Sequence, residues 1–228
     1  MNYRACSDGS TELFTGGNKT SQMPVGRPRK FNPDEVLDHA IQVFWRRGFR
    51  GTSLNELARE LGIEKPSLYA AFGNKEQLFL KALDRYASGF GRRAVLLLQQ
   101  TPSGKAAIEA LLSAFATQLA DADSPAGCMI ANCAVECREL SESINRELIG
   151  RLEAIEQAVL DRLKRARKEG ELARAEDVRV LARYFATVLQ GMIALSRTER
   201  DAKELRNIVK IALRAWPEPA AAVARKTR

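Results

Sequence analysis

The sequence predicts an all-α protein of about nine helices. Three observations carry this reading. Apolar residues recur at three- and four-residue steps along most of the chain. Ser, Thr or Asn precedes several of these runs and glycine follows them. No alternating apolar–polar stretch of strand length occurs. Residues 1–25, with Gly16-Gly17 and few large apolar side chains, are expected to be a disordered tail. Asn32 then caps a helix, Pro33 takes the first helical position and Glu35 closes a capping box. Val36, Leu37, Ala40, Ile41, Phe44 and Trp45 form its apolar face, and Gly48 ends it.

Thr52-Ser53 opens the second helix, with Leu54, Leu57, Ala58 and Leu61 on one face and Gly62 as its stop. A third carries Pro66 in its first turn and buries Leu68, Tyr69 and Phe72. The fourth begins near Lys75 and runs to about Phe90. Further on, the periodicity predicts helices over Lys105–Asp121, about Cys128 to Arg138, Ile144 to near Gly170, Val178–Ser196 and Glu204–Ala215. Trp216-Pro217-Glu218-Pro219 ends regular structure, leaving residues 217–228 as a second tail.

Composition narrows the function classes. Of 228 residues, 45% are hydrophobic and 28% charged, enough to bury a core without disulfide or metal staples. No uninterrupted apolar run exceeds that of Ala94–Leu98, so no membrane span is expected, and Met1–Met23 lacks the apolar stretch of a secretory signal. Four cysteines without an export signal point to free thiols in a reducing cytoplasm. The net charge is +8, of which residues 1–93 hold +5 and the longer remainder +3. The tightest basic cluster is Gly26-Arg27-Pro28-Arg29-Lys30. A polyanionic partner is therefore favoured.

Helix, glycine turn, helix at Ser53–Phe72 has the spacing of a helix-turn-helix. From Ala40 onward the chain reads AxxxFxxxGFxxTSLxxLAxxLGIxKxSLYxxFxNKExLF, with Thr52, Gly62, Lys65, Tyr69, Phe72 and Lys75 among its fixed letters. In this stretch the chain resembles the TetR/AcrR family of bacterial one-component regulators. The C-terminal two-thirds resembles the family in length, helical content and the segment Pro125-Ala126-Gly127-Cys128. The resemblance implies a helix-turn-helix DNA-binding domain with a basic arm at 26–74 and a C-terminal effector-binding and dimerisation domain at 75–216. The implied function is a dimeric transcriptional regulator, most often a repressor. It would bind a pseudo-palindromic double-stranded DNA operator and be released by a small-molecule effector, without catalysis, cofactor or metal.

On that reading the helix beginning near Pro66 enters the major groove. Lys65 can donate to guanine, Ser67 to several bases, and Ala70 can touch a thymine methyl. Thr52 and Ser53 bind phosphate through hydroxyls and free amides. Tyr69 and Lys75 match family positions that bind backbone phosphate, and Arg27, Arg29 and Lys30 form an arm for an adjacent minor groove. Two alanines, Ala70 and Ala71, stand where family members often carry polar or aromatic residues. Glu64 departs from the small hydroxyl residue common at its position.

The last two helices are the implied dimer surface, with Val180, Tyr184, Val188, Met192, Leu195, Ile208 and Ile211 as its candidates. The implied effector pocket has Phe115, Met129, Phe185 and Met192 as candidate walls. Cys128, Cys133 and Cys137 offer an alternative: a thiol- or Cu(I)-responsive sensor, since three soft ligands lie close in sequence. Buried cysteine packing as a small hydrophobe is the competing view. An effector-independent architectural DNA-binding protein is a further alternative. A cysteine-nucleophile enzyme is disfavoured because His39, the only histidine, has no paired acid–base arrangement around it.

Overall fold

A computed structural model describes residues 31–136 and 140–217. The described residues form ten α-helices and no strand. The first four are α1 (Pro33–Arg47), α2 (Leu54–Glu60), α3 (Lys65–Phe72) and α4 (Lys75–Tyr86). Then follow α5 (Arg92–Gln100), α6 (Gly104–Ala120), α7 (Met129–Ala134), α8 (Glu142–Lys168), α9 (Val178–Leu195) and α10 (Ala202–Ala212). The tail read at 1–25, the basic arm, and the tail read at 217–228 apart from Pro217 lie outside the described residues.

Capping chemistry sets the boundaries. Asn32 accepts from the Asp34 backbone amide at 3.0 Å, and its side-chain amide donates to Glu35 at 3.1 Å, so the pair caps α1 without the backbone bond of the expected capping box. Ser53 and Glu56 close a full capping box on α2, as Asn74 and Gln77 do on α4. Glu64, at the N-cap of α3, makes no side-chain cap bond, as its departure from a hydroxyl residue implies. Gly48 ends α1 at φ 71, a left-handed conformation that a side chain strains to adopt. A Cβ there would also strike the Glu136 carboxylate.

The fourth helix, expected to run to about Phe90, ends as α4 at Tyr86; a π-helical turn, Ala87–Gly91, then carries the backbone through Gly89 and Gly91 into a helix the periodicity did not predict. The tenth helix is therefore α5, which runs through the apolar stretch 94–98 after residues that sequence propensity favours as breakers. Burial of Ala94 and Leu98 against α6 and α8 overrides the glycines.

Two hydrophobic clusters organise the packing. One joins α1–α4 to Met129 and Cys133 of α7 and to Ile144 and Leu148 of α8. The reading half is thus not closed within 26–74: Leu78, Phe79, Ala82 and Leu83 of α4 complete its core. The other cluster is built by α5, α6, α8, α9 and α10, with Trp216 sealing one end.

A clamp ties α4 to α1. Arg85 donates two bonds to Asp38, at 2.6 and 2.7 Å, and a third to Asp34 at 2.8 Å. The hydrogen bond from Arg85 holds the Asp38 carboxyl below its usual range. Both partners are part-exposed, so Arg85→Ala is expected to cost only about 1 kcal/mol at neutral pH. A depressed carboxyl pKa contributes above the unfolded value of about 3.9 and is lost as pH falls through the folded one. The difference between variant and parent thermal midpoints is therefore expected to vanish under strongly acidic conditions.

Candidate nucleic-acid interface and inner cavity

The turns before α2 and α3 bring separated residues to one surface. Arg50, Thr52, Ser53, Leu54, Asn55, Lys65, Tyr69 and Lys75 line a shallow, solvent-open concavity of about 410 Å³. No carboxylate is among them. Lys65 and Ala70 are exposed, Ser67 is half-buried, and Tyr69 is 43% exposed, so Tyr69 is not the buried aromatic that helical spacing suggests. Leu68 and Phe72, on the opposite face of α3, anchor it in the core. Pro66 is exposed in the first turn. The Lys65 ammonium lies 5.8 Å from the Tyr69 ring centre, and Lys75 sits 4.2 Å over Phe49. Burial draws the Lys75 ammonium below its usual range, and Glu136 opposes that shift.

Two expected phosphate ligands are placed differently from the sequence reading. Thr52 is buried, and its hydroxyl donates to the Gly48 carbonyl at 2.9 Å, so it fastens the α1–α2 turn instead of facing outward. Ser53 is exposed but its hydroxyl is engaged by Glu56, donating to the carboxylate at 2.8 Å and accepting from the amide at 3.1 Å. Arg50 and Asn55 enter the concavity without having been singled out, although each lies within three residues of Thr52. Arg27, Arg29 and Lys30 lie outside the described residues.

A second feature is an inner cavity of about 280 Å³. Its walls come from the end of α4, the π-helical turn, α5, α6, the residues around Cys128, α8 and α9. Phe115 and Cys128 line it, as expected. Phe90 meets Phe115 edge to face with ring centres 4.7 Å apart. The Tyr86 hydroxyl donates to the Cys128 sulfur at 3.6 Å, and burial pushes that phenol well above its usual range.

The other expected walls lie elsewhere. Met129 and Cys133 are buried in the α1–α4 core, because α7 turns that face toward α1. Phe185 and Met192 pack inward in the other cluster. Burial, with Glu136 adding to it, pushes the Cys133 thiol up to about 12, which leaves little thiolate at neutral pH. Cys137 lies outside the described residues, and among the described residues no His, Cys, Asp and Glu cluster could hold a metal.

The cavity and the concavity are linked by α7. Its N-terminal side supplies Cys128 and Ile130 to the cavity. At its far end Glu136 accepts from the Arg50 backbone amide at 3.1 Å. Between them Trp45 of α1 donates to the Ala126 carbonyl at 3.2 Å and meets Tyr86 edge to face at 5.0 Å. No local signal announces the Glu136 contact, which spans 86 residues of sequence.

The helix α9 is long and apolar enough to cross a membrane by length and composition, which the uninterrupted-run test did not anticipate; it carries Arg179 and Arg183, and a third of it is buried in its own chain. Val180, Tyr184 and Ile211 are exposed, while Val188, Leu195 and Ile208 are half-buried. Met192 leaves this set because it points into the core at 1% exposure.

Comparison with known proteins agrees with the geometry at both ends. Residues 36–82 match the model of bacterial regulatory proteins of the tetR family, and residues 104–212 match the tetracyclin repressor-like C-terminal domain. The chain is 34% identical over 207 residues to the HTH-type transcriptional repressor ComR of Escherichia coli, covering 90% of this chain and 99% of ComR. It is similar to the solved structure of a cysteine-substituted TetR-family regulator, CifR, bound to 26-bp double-strand operator DNA. That match has 34% identity, a TM-score of 0.78, and covers 84% of this chain and 100% of CifR. The reduced form of Escherichia coli NemR shares the fold at 22% identity and a TM-score of 0.69, over 82% of this chain and 98% of NemR. With both halves matched, the chain belongs to the TetR family of bacterial transcriptional regulators.

Proposed function

We propose that this regulator is a dimeric, cytoplasmic repressor that grips a pseudo-palindromic operator with α3 and releases it when an effector fills the inner cavity. The observation that carries the DNA reading is the carboxylate-free concavity that gathers Arg50, Lys65, Tyr69 and Lys75. Lys65, Ser67 and Ala70, in the first two turns of α3, take the base edges, with Pro66 presenting that turn. Tyr69 and Lys75 take phosphate. Of the α2 entrance, Ser53 contributes its exposed position and Thr52 only the shape of the turn.

A single head covers too little DNA for operator affinity, so two copies are needed. Val180, Tyr184, Val188 and Leu195 recur by fours and sevens along α9, and Ile208 and Ile211 extend the patch on α10. The gain from burying this face is the reason for the apolar composition of α9.

The π-helical turn Ala87–Gly91 both lines the cavity and closes the end of α4, whose other end begins beside the reading head. A mid-helix departure of this kind often marks a functional hinge. Occupancy of the cavity tilts α4 and resets the spacing of the two heads, a coupling typically of about 1–3 kcal/mol.

The test is Lys75→Ala. Binding measured by fluorescence anisotropy, on a duplex selected from a random pool and on an unrelated duplex, is expected to weaken on both alike. The slope of log affinity against log salt is expected to fall by about 1. An unchanged slope would remove Lys75 from the phosphate set.

A further inference from the structure

The charged groups lining the inner cavity are of one sign. Its walls are largely aliphatic and aromatic, they include no Asp or Glu, and they carry two guanidinium groups, Arg92 and Arg151. Arg92 is exposed and has no ion-pair partner among the described residues. Arg151 is three-quarters buried, and its acidic neighbours Asp84 and Glu147 both approach the same terminal nitrogen, at 3.3 Å each. Its Nε is buried without any hydrogen-bond partner. A desolvated donor left unpaired is costly, and an acceptor delivered to it recovers that cost.

We propose that the cavity takes a small amphiphile with an apolar body and a carboxylate head, the head lying against Arg151 and Arg92. This rests on the reading of the cavity as the effector site and names the ligand class for it. A volume of about 280 Å³ suits a body of roughly ten non-hydrogen atoms at interior packing density. The Phe90–Phe115 pair and Leu152 face that body. The Nε of Arg151, whose adjacent terminal nitrogen is already held by Asp84 and Glu147, and the guanidinium of Arg92 supply the two prongs of the fork that a carboxylate accepts. A cationic head would meet two like charges with no carboxylate in the lining. A neutral alcohol offers one oxygen where the fork takes two.

The full-length protein is titrated calorimetrically with octanoate, octanol and octylamine, and operator release is followed separately by anisotropy. Octanoate is expected to bind, the alcohol and amine at least tenfold more weakly. Arg151→Gln is expected to weaken octanoate about tenfold or more. Because that variant also loses the contacts to Asp84 and Glu147, Arg92→Gln, which breaks no ion pair, is the companion and is expected to weaken octanoate in the same direction. Intact mass after incubation with octanoate is expected to show no adduct. Octanol binding as tightly as octanoate would overturn the carboxylate head while leaving an effector site in place. Octanoate binding that depends on both arginines without releasing operator would keep the ligand class and overturn the effector reading. Absence of binding by all three probes, or octanoate binding indifferent to both arginines, would overturn the proposal.

Discussion

Replacing Val180 and Ile211 together by glutamate is expected to yield a folded monomer whose operator affinity falls on the order of a thousandfold, to the level of non-specific DNA binding. Val180 is 66% exposed and Ile211 60%, so neither substitution opens the chain's own core. In the proposed dimer both lie in a dry, two-fold interface. Each carboxylate would then be desolvated, and each is repeated in the symmetric copy. Free in water, the same charges cost little. The expected result is a halved mass in sedimentation, a thermal transition that remains cooperative, and anisotropy curves that no longer distinguish operator from random duplex. A variant that sediments as a dimer would place the interface on another face.

Phe44→Ala is expected to cost about 3–5 kcal/mol, the range for truncating a buried phenylalanine. For a chain of this length that corresponds to a fall in thermal midpoint of about 10 °C. Phe44 has no exposed surface. Its ring meets Phe79 of α4 edge to face at 5.0 Å and stacks on Phe49 at 6.3 Å. Its carbonyl accepts from the Cys133 thiol of α7 at 3.9 Å. The residue therefore joins the reading head to α4 and α7, two of the helices that reach the inner cavity. Differential scanning calorimetry reads the cost directly, and a loss below about 1 kcal/mol would mean that the site collapses around the smaller side chain.

Much of the reading head was legible beforehand. Asn32 and Ser53 mark helix starts through bonds that act within one turn, Pro66 does so through its fixed φ, and Gly48 and Gly62 mark stops for an equally local reason. Resemblance then supplied the roles of Lys65, Tyr69 and Lys75, and the concavity brings these three together. Other expectations failed where burial outweighed local preference. Helix α5 follows directly on a turn with two glycines because its apolar face meets α6 and α8. Thr52 turns inward because the carbonyl of Gly48 lies 2.9 Å away. Met129, Phe185 and Met192 are apolar and suitably placed in sequence for a cavity wall, yet the rotation of their helices directs them to the core.

By itself, the amino-acid order determined the helical class, the starts and stops of most helices, and the family of the N-terminal helix-turn-helix. Those properties depend on neighbours three or four positions away, and such neighbours are written in the chain. Only the tertiary structure decided that Glu136 holds the turn at Arg50, that Arg151 and Arg92 share a cavity without a carboxylate, and that one face of α9 is left uncovered. Each of these is a meeting, or a missed meeting, of segments far apart in sequence. It is selected by how whole helices pack against one another, and no local pattern encodes that choice.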